Sequence, residues 1–169
     1  NLLARLFRSR PDPREALRPL WHRVVEISRE PEWYATCGVA DTVAGRFDMI
    51  AAVLALALLR LERDGDCAPQ CALLTEQFVE DMDGQLRESG IGDVVVGKHI
   101  GKLMASLGGR LGASRAALAG EASLGDALRR NVTLLEGKGP EALAERLLAL
   151  RTGLGAAATS EVLAGAIGR

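Results

Sequence analysis

The sequence predicts an all-α protein, a single compact multi-helix domain with no sheet. Three observations carry that prediction. Ala, Leu and Arg, all strong helix formers, are abundant in the chain. Apolar residues return at three- and four-residue spacing in successive segments, so each segment keeps one apolar stripe. Proline, glycine and short capping residues punctuate those segments, and the run Val94-Val95-Val96 has no partner strand anywhere in the sequence.

Taken in order, residues 1–12 form a basic amphipathic arm and residues 13–169 the helical domain. Asp12-Pro13 starts the first helix: the carboxylate caps free N–H groups, and proline loses nothing at a first turn. Leu17, Leu20, Trp21, Val24, Val25 and Ile27 then recur at helical spacing, with Pro19 early enough to be tolerated. Glu30-Pro31 breaks the pattern, and Trp33 and Tyr34 are placed to pack the turn. Asp41-Thr42 caps the next helix, which runs to the breaker Asp64-Gly65-Asp66. Its apolar run, Met49 to Leu59, is about half of the roughly 20 residues that cross a bilayer, so it reads as the central helix of a globular core. Pro69 opens a helix with Leu73, Leu74, Gln77, Phe78, in part Val79, Met82 and Leu86 on its inner stripe, and Ser89-Gly90-Ile91-Gly92 ends it. Val94–Val96 reads as a connector. From Gly97 to Leu111 the chain is again helical, with Ile100, Leu103, Met104 and Leu107 on one face. Its glycines cost about 1 kcal/mol each relative to alanine, so the expectation is close packing against neighbours. Shorter helices are expected over about 114–120, 123–130 and 140–151, with a turn at Gly137-Lys138-Gly139-Pro140 and a weak helical segment from Ser160.

The bulk properties exclude some functions. The chain has 169 residues, enough for one domain with a real core. A formal net charge of −1 lacks the basic excess of a nucleic-acid binder. Three cysteines, an odd number, do not form a disulfide framework and fit a reducing compartment.

Candidate chemistry is sparse. Gly92-Asp-Val-Val-Val-Gly-Lys-His99 nearly spells a phosphate-binding loop, but a helix precedes it and His99 replaces the hydroxyl that would hold magnesium. Cys67 and Cys71 sit at C-x3-C spacing, whereas a structural zinc needs four ligands; Cys37, His22 and His99 are scattered, so no metal or cofactor is expected. His22 and His99 are an equally weak basis for haem. No nucleophile elbow, HExxH motif or recognisable Ser/His/Asp set is visible in the sequence. Asp83 and Arg87 lie i,i+4, while Asp81 is roughly 160° round the helix from Asp83, which rules out a carboxylate dyad. In the segment Asn1–Arg10, Leu2, Leu3, Leu6 and Phe7 share one side of a helix against Arg5, Arg8 and Arg10. It reads either as an interfacial segment, with Leu3, Arg5, Phe7 and Arg8 as membrane contacts, or as an arm or docked helix, which its shortness favours.

The stretch Leu74–Lys98 resembles the ubiquinol–cytochrome c chaperone family. The likeness runs through Phe78, Asp81-Met82-Asp83, Leu86-Arg87-Glu88, Gly90, Gly92 and Asp93, in the order F-x-x-D-M-D-x-x-L-R-E-x-G-x-G-D. Arg46-Phe47-Asp48-Met49 matches the family's R-F-[DE]-M, Leu59-Arg60-Leu61 its later close, and Gly97-Lys98 and Gly109-Arg110 further positions. The sequence departs from the pattern at Val53, where a histidine is expected, and at Gly108 and Ser114, where aromatic residues are usual.

The resemblance implies a non-enzymatic assembly factor of the respiratory chain. Such a chaperone binds newly made cytochrome b, or another reductase subunit, and assists assembly of ubiquinol–cytochrome c reductase. The alternative is a helical domain holding a small hydrophobic ligand or lipid between helices. Composition rich in Pro, Ala, Arg and Gly, with no transit peptide visible, leads to the expectation of a bacterial member. It would work in the cytoplasm, with peripheral contact at the cytoplasmic face of the inner membrane; eukaryotic relatives would work on the matrix side. A client groove is expected between the 42–63 and 97–111 helices. Asp81, Asp83, Arg87, Asp93 and Lys98 are its candidate partner-binding residues. The charged group Asp81, Arg87 and Asp93 reads either as a solvated face or as a network across the turn.

Overall fold

An apolar helix at the centre organises the molecule, and the other elements are laid against it. The computed structural model describes residues 12–88 and 93–168. A 3-10 turn, Pro13–Leu17, leads into α1, Arg18–Ser28; then come α2, Pro31–Ala35, α3, Val43–Glu62, and α4, Ala68–Glu88. The second half holds α5, Asp93–Leu118, α6, Leu124–Asn131, α7, Glu141–Ala156, and α8, Thr159–Leu163. Among the described residues there is no sheet; one isolated antiparallel bridge joins Val39 and Leu134.

The caps explain the boundaries. Asp12 Oδ1 accepts from the Arg14 N–H at 3.0 Å and Pro13 opens the 3-10 turn, so Pro19 falls harmlessly at the start of α1. Thr42 Oγ1 accepts from the Gly45 N–H at 3.1 Å and starts α3. Ser123 does the same for α6. At the end of α5 the Glu121 N–H donates to the Ala116 carbonyl at 2.9 Å while Gly120 takes φ +77°, a left-handed stop.

Helix α3 packs against α1, α4, α5 and α7. It is apolar almost all round because neighbours cover it on several sides: Met49, Val53, Leu54, Leu58 and Leu61 are buried. Leu20, Val24 and Ile27 of α1, Leu74 and Phe78 of α4, Leu107 of α5 and Leu143 and Leu154 of α7 complete the core. Each such side chain contributes about 2 kcal/mol of burial free energy. Trp33 is buried in α2, as expected of a turn-packing residue, and its indole N–H donates to the Ile27 carbonyl at 2.6 Å.

Four expectations are corrected. Val94–Val96 is not a connector but lies in the first turns of α5. β-branched residues cost only tenths of a kcal/mol in a helix, too little to stop one. The separate helices expected over 97–111 and 114–120 are one continuous helix, Asp93–Leu118, since neither Gly112 nor Ser114 breaks it. Met104 is 41% exposed and does not share the inner face of Leu107. Most consequentially, four of the α5 glycines are not packing sites: a Cβ added at Gly101, Gly108, Gly109 or Gly112 would meet nothing within 4 Å. Two other expectations, the arm at residues 1–12 (all but Asp12) and the stop at 89–92, lie outside the described residues.

Candidate functional site

Phe47 and Asp48, Phe78 and Arg110, pattern residues from three helices, join with Trp21 of a fourth into one chain of contacts. Trp21 of α1 meets Phe78 of α4 edge-on, centroids 6.1 Å apart at 74°, and Phe78 meets Phe47 of α3 at 6.1 Å. The Arg110 guanidinium of α5 lies 5.5 Å over the Phe47 ring. Arg110 Nη2 then donates to Asp48 Oδ1 at 2.8 Å, Nη1 to the Asn131 carbonyl at 2.6 Å, and Nε to Ser106 Oγ at 3.1 Å. The other oxygen of Asp48 accepts from the backbone N–H and the hydroxyl of Thr133, at 2.8 and 2.7 Å.

Asp48 is 6% exposed, and an unpaired carboxylate there would be severely penalised. Its three donors are what permit a charge inside the helix bundle. The sequence placed Asp48 at the flank of an apolar run; only the fold shows that it faces inward and ties α3 to α5 and to the loop after α6. Arg60, read as the close of the same run, is also interior at 7% exposed. Its Nε and Nη2 donate to the Leu154 and Ala157 carbonyls at 2.8 and 2.9 Å, capping the end of α7. A charge inside an otherwise apolar helical run was the signal available for both.

The expected partner-binding residues lie on α4 and α5, either side of the connection between them. Asp81 is solvent-exposed, yet it accepts a short hydrogen bond from the Trp21 indole N–H, which ties α4 to α1. Asp83 is half-buried. Arg87 stands in the last turn of α4, Asp93 begins α5 and Lys98 follows a turn and a half later along the helix axis. The contacts expected of Arg87, Asp93 and Lys98 involve side chains outside those the structure describes, as do the membrane contacts expected of Leu3, Arg5, Phe7 and Arg8. Gly101, Ala105, Gly108 and Gly112 recur at three- and four-residue spacing, and all four are exposed, so this side of α5 presents bare backbone to solvent.

The remaining chemistry is quiet. Burial pushes the Cys37 and Cys71 thiols up, away from the reactive thiolate. Among the described residues no three His, Cys, Asp or Glu side chains are grouped to hold a metal, and His22 is exposed on α1. The helical backbone from Asp93 through His99 cannot form a phosphate-cradling loop. No helix among the described residues is long and apolar enough to cross a membrane. Helices α3 and α5 pack against each other, and an apolar crevice beside Leu124, Leu128 and Leu147, toward the C-terminal end of α5, holds about 40 Å³; the groove expected between the 42–63 and 97–111 helices involves side chains outside those the structure describes.

Comparison with known proteins gives these contacts a family. The description ubiquinol-cytochrome C chaperone matches residues 35–136. That segment includes both motif clusters, and its two ends are joined: Ala40 N–H donates to the Thr133 carbonyl at 2.9 Å and Leu135 N–H to the Gly38 carbonyl at 2.8 Å. No curated protein sequence matches the chain. Among solved structures it is similar to the crystal structure of the Cbp3 homolog from Brucella abortus, at 31% identity and a TM-score of 0.78. The similarity covers 98% of this chain and 94% of that one. With the family match over more than half its length and this likeness along nearly all of it, the chain belongs to the ubiquinol-cytochrome c chaperone family.

Proposed function

We propose that this protein binds newly made cytochrome b and assists its entry into ubiquinol–cytochrome c reductase, as a binding partner and not as a catalyst. The observation that carries the reading is the matched segment 35–136, whose motif residues Phe47, Asp48, Phe78 and Arg110 form one contact chain that Trp21, from outside the segment, and Thr133 extend at its ends. That chain braces α4 and α5, and the client contact is proposed to run through Asp81, Asp83, Arg87, Asp93 and Lys98, which flank the connection between these helices. The bare-backbone side of α5 lies beside it, smooth enough for a client segment to approach closely. The apolar crevice of about 40 Å³ gives no support to a lipid or quinone binder.

The proposed place of work is the bacterial cytoplasm at the inner face of the membrane, where an apolar client emerges. The arm at residues 1–12 would add a weak lipid contact through Leu3, Arg5, Phe7 and Arg8. Neutralising Arg5 and Arg8 together is expected to reduce cosedimentation with anionic vesicles several-fold; unchanged cosedimentation would remove the arm from the proposal.

The deciding experiment is haem spectroscopy of membranes from a strain lacking this gene. Selective loss of the reductase's cytochrome b and c bands is expected, restored by the wild-type gene but not by an Arg87→Ala/Asp93→Ala double variant. Normal reductase in the deletion strain would overturn the client assignment. Full rescue by the double variant would overturn the junction as its contact surface.

A further inference from the structure

Three helix C-termini meet at one pole of the molecule: those of α3, α5 and α7. Between them opens a cleft of about 460 Å³ bordered by four guanidinium groups, those of Arg60, Arg63, Arg115 and Arg151. Cations are favoured at helix C-termini, and this accounts for some of the set. Arg60 is consumed by the carbonyls of Leu154 and Ala157 and by Asp64 at 3.3 Å. Arg115 is paired with Glu62 at 2.8 Å.

Arg63 and Arg151 are different. Both are exposed, neither has an ion-pair partner among the described residues, and no described Asp or Glu lines the cleft. Arg63 reaches across from α3 to α7, where its guanidinium lies against Gly155; a Cβ there would come to 3.4 Å from Nη1. The exposed ends of α3 and α5 contribute about half a unit of negative charge each, less than the two unpaired guanidiniums. The floor is apolar, formed by Leu56, Leu118 and Leu154. A cleft with a positive rim over an apolar floor is complementary to a segment that is acidic and apolar at once.

We propose that this cleft docks an acidic segment of a protein partner, one that carries a large apolar residue about one helical turn from a pair of carboxylates. The carboxylates would engage Arg63 and Arg151, whose planar forks suit them, while the apolar side chain lies on the leucine floor. The crevice of about 40 Å³ behind, which shares Leu56 and Leu118, is too small to take an acyl chain, so an anionic lipid is disfavoured. That the occupant is a protein rests on the chaperone reading; the charge and shape argument does not.

The test uses the full chain and a fluorescein-labelled helical peptide bearing one Leu and, a turn later, two Glu. Two control peptides carry Lys for both Glu, or Ser for Leu. Anisotropy at low salt is expected to show saturable binding that weakens as salt rises. The double variant Arg63→Glu/Arg151→Glu should bind about tenfold or more weakly, and Arg63→Lys/Arg151→Lys should keep most of the affinity. The Glu variant, with melting unchanged, should gain affinity for the Lys peptide, a switch that misfolding does not produce. No binding of the acidic peptide, equal binding of the Lys peptide, or a charge-reversal effect confined to phosphatidylglycerol vesicles would each overturn the proposal. In the deletion strain the two readings separate. If reductase is lost and the Glu double variant restores it fully, the cleft proposal fails and the chaperone reading stands. If reductase is normal without the gene, the chaperone reading fails and the peptide measurements alone decide the cleft.

Discussion

Asp48 illustrates how one side chain carries more of this fold than its place in the sequence suggests. Three donors surround its carboxylate, and Arg110, whose side chain is 15% exposed, depends on it for a counter-charge. Asp48→Ala therefore strands a mostly buried guanidinium and is expected to cost about 3–5 kcal/mol in urea unfolding. Thr133→Val removes the hydroxyl but keeps the backbone N–H donor and should cost only about 1 kcal/mol. Similar losses for the two variants would show that Asp48 and Arg110 are not paired in solution. Trp21→Phe retains a ring against Phe78 but loses the indole donor to Asp81, an expected loss of about 2 kcal/mol. In that respect Asp81 is a brace between α1 and α4 as well as a candidate contact.

At the scale of the element, α5 and α3 use glycine in opposite ways. In α3 a Cβ at Gly45 would sit 1.8 Å from the Ala40 carbonyl oxygen, so the chain can close over the helix start only without a side chain. Gly45→Ala is expected to destabilise by several kcal/mol, through backbone displacement and loss of the Thr42 cap. In α5, Gly101, Gly108 and Gly112 are helical, exposed and uncrowded. Replacing each by alanine should stabilise the protein by about 0.5–1 kcal/mol, read as a rise in melting temperature. A helix that forgoes such stability on its open side fits a surface kept smooth for a partner. If the alanine variants melt lower than wild type, the glycines have an internal packing role after all.

At the scale of the whole molecule, the polar end contacts join distant parts of the chain. Asp64, after α3, accepts from the Thr159 hydroxyl at the start of α8 and from Arg60, and these bonds hold its carboxyl below the usual carboxylate range, the Thr159 bond most of all. A carboxyl lowered in the folded state stabilises above its unfolded value of about 3.9 and loses that contribution as pH falls through the folded value. The stability gap between wild type and Asp64→Asn should thus be widest near neutral pH and close below about pH 4, as followed by urea unfolding across a pH series. A gap that stays constant with pH would mean that the carboxylate charge is not what joins α3 to α8. The tail is held in the same manner: Arg23 donates to the Ile167 and Gly168 carbonyls at 2.8 and 2.9 Å, and Gly165, at φ +74°, turns where a Cβ would meet the Pro19 carbonyl oxygen at 2.6 Å.

The sequence by itself determined the helical class, most helix starts, the central apolar helix and the family, because these rest on local spacing, caps and an ordered motif. It did not determine where α5 begins or that it is continuous, since weak local penalties at Val94–Val96, Gly112 and Ser114 yield to packing along the rest of the helix. Nor could it show that Asp48 and Arg60 point inward, because Arg110, which pairs with Asp48, and Leu154, whose carbonyl Arg60 caps, lie 62 and 94 positions away in the chain. The charged residues flanking the α4–α5 connection were legible as a motif, while the Trp21–Asp81 tie and the four-arginine cleft were not. Those arise where separate helices meet, and which faces meet is decided only when the whole chain buries its core.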